Sequence, residues 1–236
     1  MNSPKMPPLD QMRQDYSRAG LSEQDVDRDP VVQFQRWFAQ ATGKVPMEGE
    51  QSASSADTAL PDWFEANAMT LSTTDSAGHV TSRIVLLKGI AEGRFLFFTN
   101  YESAKGRQMA ANPRVSLCFF WPHLQRQVRI EGTVDRVSRD ESQRYYHSRP
   151  RESQLGAHVS RQSAKIESRE EMIRQMDQLA RQYPEGETIP LPEHWGGYAV
   201  APTFFEFWQG RPSRLHDRIA YQSQPDGSWT IQRLAP

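Results

Sequence analysis

The sequence has a single cysteine among its 236 residues, Cys118, and this scarcity excludes two kinds of site. One cysteine cannot form an intramolecular disulfide, and it cannot supply a cysteine-rich zinc site. Cys118 lies in the apolar run 115–121, where we expect a buried, unreactive thiol rather than a nucleophile. The six histidines lack the paired spacing of zinc ligands, so metal catalysis is not expected.

Charge of either sign is not in excess, because 28 basic residues face 29 acidic ones and the formal net charge is -1. General nucleic-acid binders and anionic-membrane binders usually carry surplus positive charge, so any basic site here must be a local cluster. Apolar runs long enough to span a membrane are missing, and the N-terminus lacks the apolar core of a signal peptide. These absences predict a cytoplasmic protein.

Motifs for nucleotide binding and for common hydrolysis chemistry are absent too. There is no glycine-rich dinucleotide fingerprint, no phosphate loop ending in Gly-Lys-Ser/Thr, and no Gly-x-Ser-x-Gly elbow. The carboxylate pair Glu170-Glu171 falls on a predicted solvated helix face, so we interpret it as surface rather than as an acid–base pair. The chemistry must therefore come from another set of side chains.

The chain is apolar enough, at 37% hydrophobic residues, to bury one large core. Asp29-Pro30 predicts a helix start, capping boxes begin at Ser138 and Ser168, and the tetrad 75–78 predicts a hairpin turn between strands 68–74 and 80–88. Further strands are expected at 94–99, 114–121, 126–136, 197–200, 203–208, 215–222 and 229–234, with a short helix at 103–112. Many short strands with few helices indicate a mainly β fold with peripheral helices, an antiparallel barrel.

Two segments interrupt this pattern of regular elements. Residues 1–28 are polar, and we expect them to become ordered only by docking onto the rest of the protein. Residues 43–60 are rich in Ser, Ala, Glu, Gly and Pro, which is typical of a flexible connection. The range 29–236, including this loop, is predicted to form a single domain.

Cationic side chains embedded among apolar ones are the first candidate ligand contacts. Arg83 begins and Lys88 ends the run RIVLLK, and burying such cations is costly unless an anion pairs with them. If one strand contains both residues, parity places them on opposite faces, where they would hold two different anions. The alternative is that both side chains extend to solvent.

Two later segments combine arginine with hydroxyl or ring groups. Residues 148–154 offer two guanidiniums and two hydroxyls beside Tyr145, a combination that suits phosphate, although taken alone a solvated turn fits this run better. On a strand, Arg214, His216 and Arg218 would share one face and suit a planar, electron-rich ligand. An exposed polar face is the alternative for this second segment.

Taken together in order, these segments resemble the pyridoxine/pyridoxamine 5'-phosphate oxidase family. The matching stretches are RIVLLK (83–88), FFTNYESAKG (97–106), NPRVSL (112–117), RQVRIEG (126–132), SRPRESQLGAHVSRQS (148–163), WGGY (195–198), EFWQG (206–210), RLHDR (214–218) and RLAP (233–236). Each stretch alone is weakly specific, whereas nine in register are strongly specific. The resemblance implies a split β-barrel homodimer that holds one FMN per subunit at the dimer interface.

The resemblance also implies roles for individual residues. The residues expected to bind the FMN phosphate are Arg83, Lys105, Gln162 and Ser163. Those expected at the flavin and ribityl portions are Thr99, Gln127, Trp208 and Arg218, and further cofactor contacts are expected from Ile84, Val85, Leu86, Leu87, Lys88 and Phe98. The substrate phosphate is assigned to Lys88, Tyr145, Arg149 and Ser153, and the segment that covers the substrate to Arg13 and Tyr16. Leu215 is a further substrate contact, and the catalytic residues over the pyridine ring are Arg214 and His216.

One departure from the family pattern concerns the phosphate-binding helix. This chain has Ser103-Ala104-Lys105 where the family commonly has Ser-Arg-Lys, so one guanidinium contact to the FMN phosphate is missing. A charged hydrogen bond is worth about 1.5–3 kcal/mol, so FMN would bind about ten- to a hundredfold more weakly if nothing compensates.

The activity that the resemblance implies is FMN-dependent oxidation of pyridoxine 5'-phosphate and pyridoxamine 5'-phosphate to pyridoxal 5'-phosphate, with molecular oxygen as acceptor and hydrogen peroxide as product. One alternative is a related flavin oxidase with another substrate, such as the phenazine-pathway relatives of this fold. Another is a non-catalytic barrel that binds FMN or pyridoxal phosphate as a sensor or carrier. A nucleic-acid-binding barrel is disfavoured by the net charge of -1 and by acidic residues among the arginines.

Overall fold

The computed structural model describes Tyr16 and residues 20–44 and 60–236, which contain five α-helices and nine strands. The helices are α1 (Pro30–Ala41), α2 (Ala104–Ala111), α3 (Arg139–Ser148), α4 (Arg151–Val159) and α5 (Arg169–Gln182). The strands are β1 (Ala68–Thr74), β2 (Val80–Leu86), β3 (Gly89–Ala91), β4 (Arg94–Asn100), β5 (Arg114–Trp121), β6 (Arg126–Arg136), β7 (Trp195–Gln209), β8 (Asp217–Ser223) and β9 (Trp229–Arg233). In these ranges no helix has the length and apolarity needed to span a membrane.

The strands form a sheet in the order β2-β1-β5-β6-β7-β4-β3, and β8 pairs with β7 and β9. The pairs β1–β2, β1–β5, β3–β4, β4–β7 and β8–β9 are all antiparallel. A mainly β fold with peripheral helices was predicted from the sequence and is confirmed. The loop expected at 43–60 lies mostly outside the described residues, so its role stays a prediction.

The chain divides into two compact units, and strands β5, β6 and β7 contribute residues to both. The first unit comprises residues 1–62, 120–128 and 206–236. Its aromatic core includes Trp37, whose ring centroid lies 5.2 Å from that of Phe207, and Phe207 in turn contacts Tyr221. Helix α1 supplies Trp37, and it begins as predicted, because the Asp29 side chain accepts a hydrogen bond from the Val31 N–H.

The second unit comprises residues 63–119 and 129–205, and its core is made by the inward faces of its strands. Leu71, Phe97, Leu117 and Phe205 are fully buried there. Removing side chains of this size from water stabilises the fold by roughly 1.5–3 kcal/mol each. Alternation along β1 and β5 places their other residues on the opposite face of the sheet. Cys118 is one of these residues and is half-buried, so the prediction of a buried thiol was wrong.

The predicted hairpin is confirmed and brings Arg83 across from Leu71 in the antiparallel pairing of β1 with β2. Its turn is closed by Asp75, which accepts hydrogen bonds from the backbone N–H groups of Ala77 and His79. The bond from the His79 backbone N–H does most to lower the pKa of the Asp75 carboxyl, followed by the contact with the His79 side chain. Gly78 has a φ of 88°, a conformation that glycine adopts without strain. The turn therefore fixes the register that places Arg83.

The strands differ from the predicted ones most at three places. The strand predicted at 80–88 ends at Leu86, so the prediction that it includes Lys88 was wrong, and strand parity does not relate Lys88 to Arg83. The strands predicted at 197–200 and 203–208 are one continuous strand, β7. β8 begins only at Asp217, after a short 3-10 turn at Pro212–Arg214.

This last difference matters for the site. Ser213 and Arg214 have φ values of 56° and 61°, a left-handed conformation that is incompatible with a strand. Arg214, His216 and Arg218 therefore do not share a strand face, as the sequence pattern suggested. The run 148–154 also differs from a simple turn, because α4 begins within it at Arg151.

Gly106 sets how closely α2 approaches the preceding loop. A Cβ atom at this position would lie 2.1 Å from the Tyr101 carbonyl oxygen, which as a backbone atom cannot move independently. We expect Gly106→Ala to destabilise the protein by about 1–3 kcal/mol. At roughly 2–4 °C per kcal/mol for a chain of this size, the Tm in a thermal melt should fall by several degrees.

Gly156 provides the matched control, because it is also a helical glycine, but an added Cβ would have no described atom within 4 Å apart from its chain neighbours and its own helix backbone. Gly156→Ala should leave the Tm unchanged or raise it, since alanine is the better helix former. Equal Tm values for the two variants would show that α2 tolerates a shift at Gly106.

Candidate active site

A cavity of about 970 Å³ lies in the second unit, at the upper end of the range of about 300–1,000 Å³ for ligand pockets. Its walls come from β2, β4, α2, α3, α4, the start of β7 and the segment 160–163. The predicted site residues that line it are Arg83, Ile84, Val85, Leu86, Lys88, Phe98, Thr99, Lys105, Tyr145, Arg149, Ser153, Gln162 and Ser163. Leu87 is not among the lining residues, because its side chain is buried in the core.

Lys105 is a buried cation near the start of α2, whose first turn is capped by Ser103. Its Nζ donates to Gln162 Oε1 at 2.7 Å, to Thr99 Oγ1 at 3.1 Å and to Ser103 Oγ at 3.3 Å. All three acceptors are neutral. Burial, with a smaller contribution from the charge of Arg83, lowers the pKa of Lys105 to about 8.

Arg83 is the second cation of the cavity and is also held by neutral groups. Its Nη1 donates to Thr73 Oγ1 at 2.6 Å and to the Leu71 carbonyl at 3.1 Å, and its Nη2 donates to Thr81 Oγ1. Burial lowers the pKa of this guanidinium from its usual value. A pair of cations without carboxylate partners among the described residues is an arrangement suited to an anion.

Arg149 lies where α3 ends, and its guanidinium carbon is 4.7 Å from the ring centroid of Trp195. This distance is typical of a cation–π contact. Its Nη1 is buried and has no hydrogen-bond partner among the described residues. Burial lowers the pKa of this arginine. A buried guanidinium nitrogen without an acceptor fits an anionic ligand, since such groups are normally satisfied.

Stacked aromatic rings form an apolar wall beside these cations. Phe98 and Tyr145 stack with centroids 3.9 Å apart and planes 20° apart, and the planes of Tyr145 and Trp195 differ by only 5°. The cavity thus combines a flat apolar surface with cationic groups. Those features suit a planar, phosphorylated ligand.

A second group of predicted residues lies in the first unit. The ring centroids of Trp208 and His216 are 4.7 Å apart. The ring centroid of Tyr16 lies 5.8 Å from that of Trp208 and 5.7 Å from that of His216. The backbone N–H of Arg211 donates to His216 Nδ1 at 3.1 Å, so a neutral His216 carries its proton on Nε2. Desolvation, followed by the charge of Arg214, lowers the pKa of His216. A neutral imidazole with Nε2–H as donor is therefore the favoured form.

The remaining predicted residues of this unit differ in their surroundings. Arg214 and Leu215 are exposed, and Gln127 is half-buried. Arg218 forms a two-pronged ion pair with Glu206, at 2.9 Å and 3.0 Å, and its Nη1 donates to the Ala235 carbonyl. This pairing raises the pKa of Arg218. Arg13 lies outside the described residues, so its expected role stays a prediction.

Several residues at or beside the cavity were missed in the sequence. Trp195 and Asn100 line it, and the Asn100 Nδ2 group donates to the Ser160 carbonyl at 3.1 Å, which ties β4 to the end of α4. Both lie in stretches that match the family, so position in a motif was the available signal. Gln108 contacts Arg83 but had no such signal.

A mainly antiparallel sheet with this cation-lined cavity defines a split β-barrel whose site suits a phosphorylated ligand. The sequence profile described as "Pyridoxamine 5'-phosphate oxidase" matches residues 57–183, and the profile "Pyridoxine 5'-phosphate oxidase C-terminal dimerisation region" matches residues 195–236. The chain belongs to the pyridoxine/pyridoxamine 5'-phosphate oxidase family, as its motifs predicted.

Relatives at high identity carry the same name. The pyridoxine/pyridoxamine 5'-phosphate oxidase of Rhodopirellula baltica is 61% identical over 98% of this chain and 97% of its own length. That of Cupriavidus pinatubonensis is 49% identical over 98% of this chain and 100% of its own length.

Solved structures support the fold. PhzG from Burkholderia lata 383, in complex with tetrahydrophenazine-1-carboxylic acid, has a TM-score of 0.80 at 23% identity and covers 94% of this chain and 100% of its own. A pyridoxamine 5'-phosphate oxidase-related, FMN binding protein from Nostoc punctiforme has a TM-score of 0.60 at 18% identity, covering 72% of this chain and 89% of its own. The split-barrel fold is thereby confirmed.

Proposed function

We propose that this chain oxidises pyridoxine 5'-phosphate and pyridoxamine 5'-phosphate to pyridoxal 5'-phosphate, with FMN as cofactor and molecular oxygen as acceptor. The observation that carries the proposal is the presence in one cavity of two sets of cations on different elements. Arg83 and Lys105 belong to β2 and α2, whereas Arg149 lies between α3 and α4. Two phosphorylated ligands, a cofactor and a substrate, account for both sets, and the names of the close relatives agree with this assignment.

The residues present fit the phosphate of FMN. Lys105 and Arg83 are cations whose acceptors in the structure are neutral, so a phosphate would supply the missing negative charge. Gln162, Ser163 and Thr99 would complete the hydrogen bonds, and the strand residues Ile84, Val85 and Leu86 would lie along the cofactor. When bound, FMN would accept a hydride equivalent from the 4' carbon of the substrate and return the electrons to oxygen, giving hydrogen peroxide.

The chain's own part in the reaction is binding and orientation. Arg149 would bind the substrate phosphate through its unpartnered Nη1, with help from Lys88, Tyr145 and Ser153. Anchoring this remote phosphate restricts the position of the pyridine ring. This lowers the entropic part of the activation free energy of the reaction. Dephosphorylated vitamers should therefore be very poor substrates.

Arg214 and His216 are proposed to lie over the pyridine ring. The Nε2–H of neutral His216 would donate to a ring substituent, and Arg214 would stabilise negative charge that develops there. With pyridoxine phosphate the aldehyde forms directly, whereas with pyridoxamine phosphate the imine takes up water and releases ammonia. Tyr16, which contacts His216, would help to cover the substrate together with Arg13.

We also propose a homodimer with FMN at the subunit interface, as the name of the C-terminal profile supports. Trp208, Gln127 and Arg218 would contact the flavin and ribityl portions in that assembly. Arg218 is already paired with Glu206, so its role would combine orientation of the C-terminus with cofactor contact. The cytoplasmic location stays a prediction from the sequence.

FMN affinity should depend on pH through Lys105. Because its pKa is lowered to about 8, Lys105 is a cation at neutral pH and becomes neutral above that value. The phosphate of FMN is already doubly charged there, since its second pKa is about 6. The affinity should therefore fall as pH rises through 8, by up to about tenfold per unit.

Fluorescence titration of FMN at a series of pH values measures this effect. The affinity for riboflavin, which lacks the phosphate, should not decline as pH rises. In Lys105→Met the affinity for FMN should not decline with pH either. A flat FMN profile across this range would remove Lys105 from the phosphate site.

The reaction is tested by mixing purified protein with FMN and pyridoxine 5'-phosphate and following aldehyde and hydrogen peroxide together. Equal amounts of both products are expected, with far slower formation of both from unphosphorylated pyridoxine. A yellow, FMN-loaded protein that makes neither product would contradict the proposed function. It would favour a related flavin oxidase with another substrate, or a non-catalytic carrier of FMN or pyridoxal phosphate.

A further inference from the structure

Gln108 is a half-buried residue of α2 that the proposed reaction leaves without a role. It lies one helical turn after Lys105 and faces the β1–β2 hairpin. Its Oε1 accepts from Thr73 Oγ1 at 2.6 Å, from Thr81 Oγ1 at 2.9 Å and from Arg83 Nη2 at 3.4 Å. One amide oxygen therefore meets three donors, from both strands of the hairpin.

These contacts surround Arg83 with acceptors that carry no charge. The acceptors of its guanidinium are Leu71 O, Thr73 Oγ1, Thr81 Oγ1 and Gln108 Oε1. A carboxylate is the strongest partner for an arginine fork, but it would cancel the charge that an anion needs. Neutral acceptors fix the direction of the guanidinium and keep its charge, and Gln108 also holds two of the other acceptors in place.

Arg218 shows how an arginine of the same chain differs when its partner is a carboxylate. Arg218 is held by the buried carboxylate of Glu206, and the pKa of Arg218 is raised by that partner. Arg83 has no such partner among the described residues, and burial lowers the pKa of its guanidinium. Beside Arg83 one side-chain acceptor is the uncharged amide of Gln108, which has nearly the same shape as a glutamate side chain.

We propose that Gln108 is a positioning residue that orients Arg83 toward a bound phosphate while leaving the charge of Arg83 uncompensated. This inference rests on the proposed function, because it takes the anion to be the phosphate of FMN. Gln108 does not line the cavity, so it acts on the ligand only through Arg83 and its neighbours. A purely structural tie between α2 and the hairpin would instead affect every flavin ligand alike.

Gln108→Glu tests the proposal, because it keeps the shape of the side chain and adds the charge that the native residue avoids. FMN should bind about ten- to a hundredfold more weakly to this variant, the effect of losing one charged contact. Riboflavin should bind as it does to the native chain. Fluorescence titration of the full-length chain with each flavin gives both values.

Two further variants separate charge from shape and from fold. Gln108→Met removes the acceptor without adding charge, so it should weaken FMN binding less than Gln108→Glu does. Gln178→Glu makes the same change on the exposed face of α5, and it should alter neither affinity.

The outcomes also separate this inference from the proposed function. Lys105→Met tests the phosphate site itself, and unchanged FMN affinity in that variant would overturn both proposals. If Lys105→Met weakens FMN binding while Gln108→Glu does not, only the role of Gln108 is wrong. Equal losses in Gln108→Glu and Gln108→Met, or equal losses for FMN and riboflavin, would likewise show a structural tie.

Discussion

Replacing Arg214 with alanine is expected to lower kcat/KM for pyridoxine 5'-phosphate by about a hundredfold or more, because small errors in orientation at the reacting centre cost this much. Arg214 is exposed at the end of the 3-10 turn Pro212–Arg214, so truncating it removes no packing from the core. FMN content should stay the same, since Arg214 is assigned to the substrate. Steady-state kinetics and the flavin-to-protein absorbance ratio measure the two effects separately.

Arg28→Ala is the matched control for that experiment, because Arg28 is another exposed arginine of the first unit. It should change neither activity nor FMN content. Parallel losses of activity and FMN in Arg214→Ala would mean that Arg214 holds the cofactor and has been given the wrong role.

Replacing Arg149 with methionine should produce a loss confined to phosphorylated substrates. Its Nη1 is buried without a partner and is the group assigned to the substrate phosphate. We expect kcat/KM for pyridoxine 5'-phosphate to fall about a hundredfold, mostly through KM, because a charged, forked contact is lost. The slow reaction with unphosphorylated pyridoxine should change little.

Arg149→Lys distinguishes charge from geometry at the same place. Lysine keeps the charge but cannot reproduce the planar fork or its stacking on Trp195, so it should recover only part of the loss. Arg144→Met, at an exposed arginine of α3, should leave the kinetics unchanged. A similar loss with both substrates in Arg149→Met would assign this arginine to the fold and not to the phosphate.

Local patterns in the sequence were sufficient for most of the secondary structure. The capping residues Ser138 and Ser168 begin helices as expected, because each side chain accepts a hydrogen bond from a backbone N–H three residues later. The strand predicted at 126–136 is confirmed as β6, and alternation along it buries Ile130 and Val134. These signals are short-range, so they can be read without the rest of the fold.

The failures occurred at strand ends, where the backbone leaves the extended conformation. The pattern Arg-x-His-x-Arg reads as one strand face, but Arg214 adopts a left-handed conformation and β8 starts after it. Lys88 follows the end of β2, and its backbone N–H donates instead to the Leu96 carbonyl. Side chains alternate between the two faces only within a continuous strand, so alternation cannot predict side-chain direction beyond a strand end.

The residues of the cavity could be named from family motifs, but their contacts could not. Gln108 lies 35 residues from Thr73 in sequence, and their hydrogen bond arises only when α2 packs beside the hairpin. Trp195, at the start of β7, likewise reaches Arg149 at the end of α3. Composition gives no signal for either contact, since each depends on the tertiary arrangement.

An anaerobic titration tests most directly whether this chain passes electrons from a phosphorylated vitamer to FMN. FMN-loaded protein is mixed with pyridoxine 5'-phosphate in the absence of oxygen, and the visible absorbance of the flavin is followed together with aldehyde. The proposal predicts that the flavin is bleached, that one aldehyde forms per flavin reduced, and that unphosphorylated pyridoxine reduces the flavin far more slowly. A flavin that stays oxidised in the presence of excess pyridoxine 5'-phosphate and of pyridoxamine 5'-phosphate would contradict it.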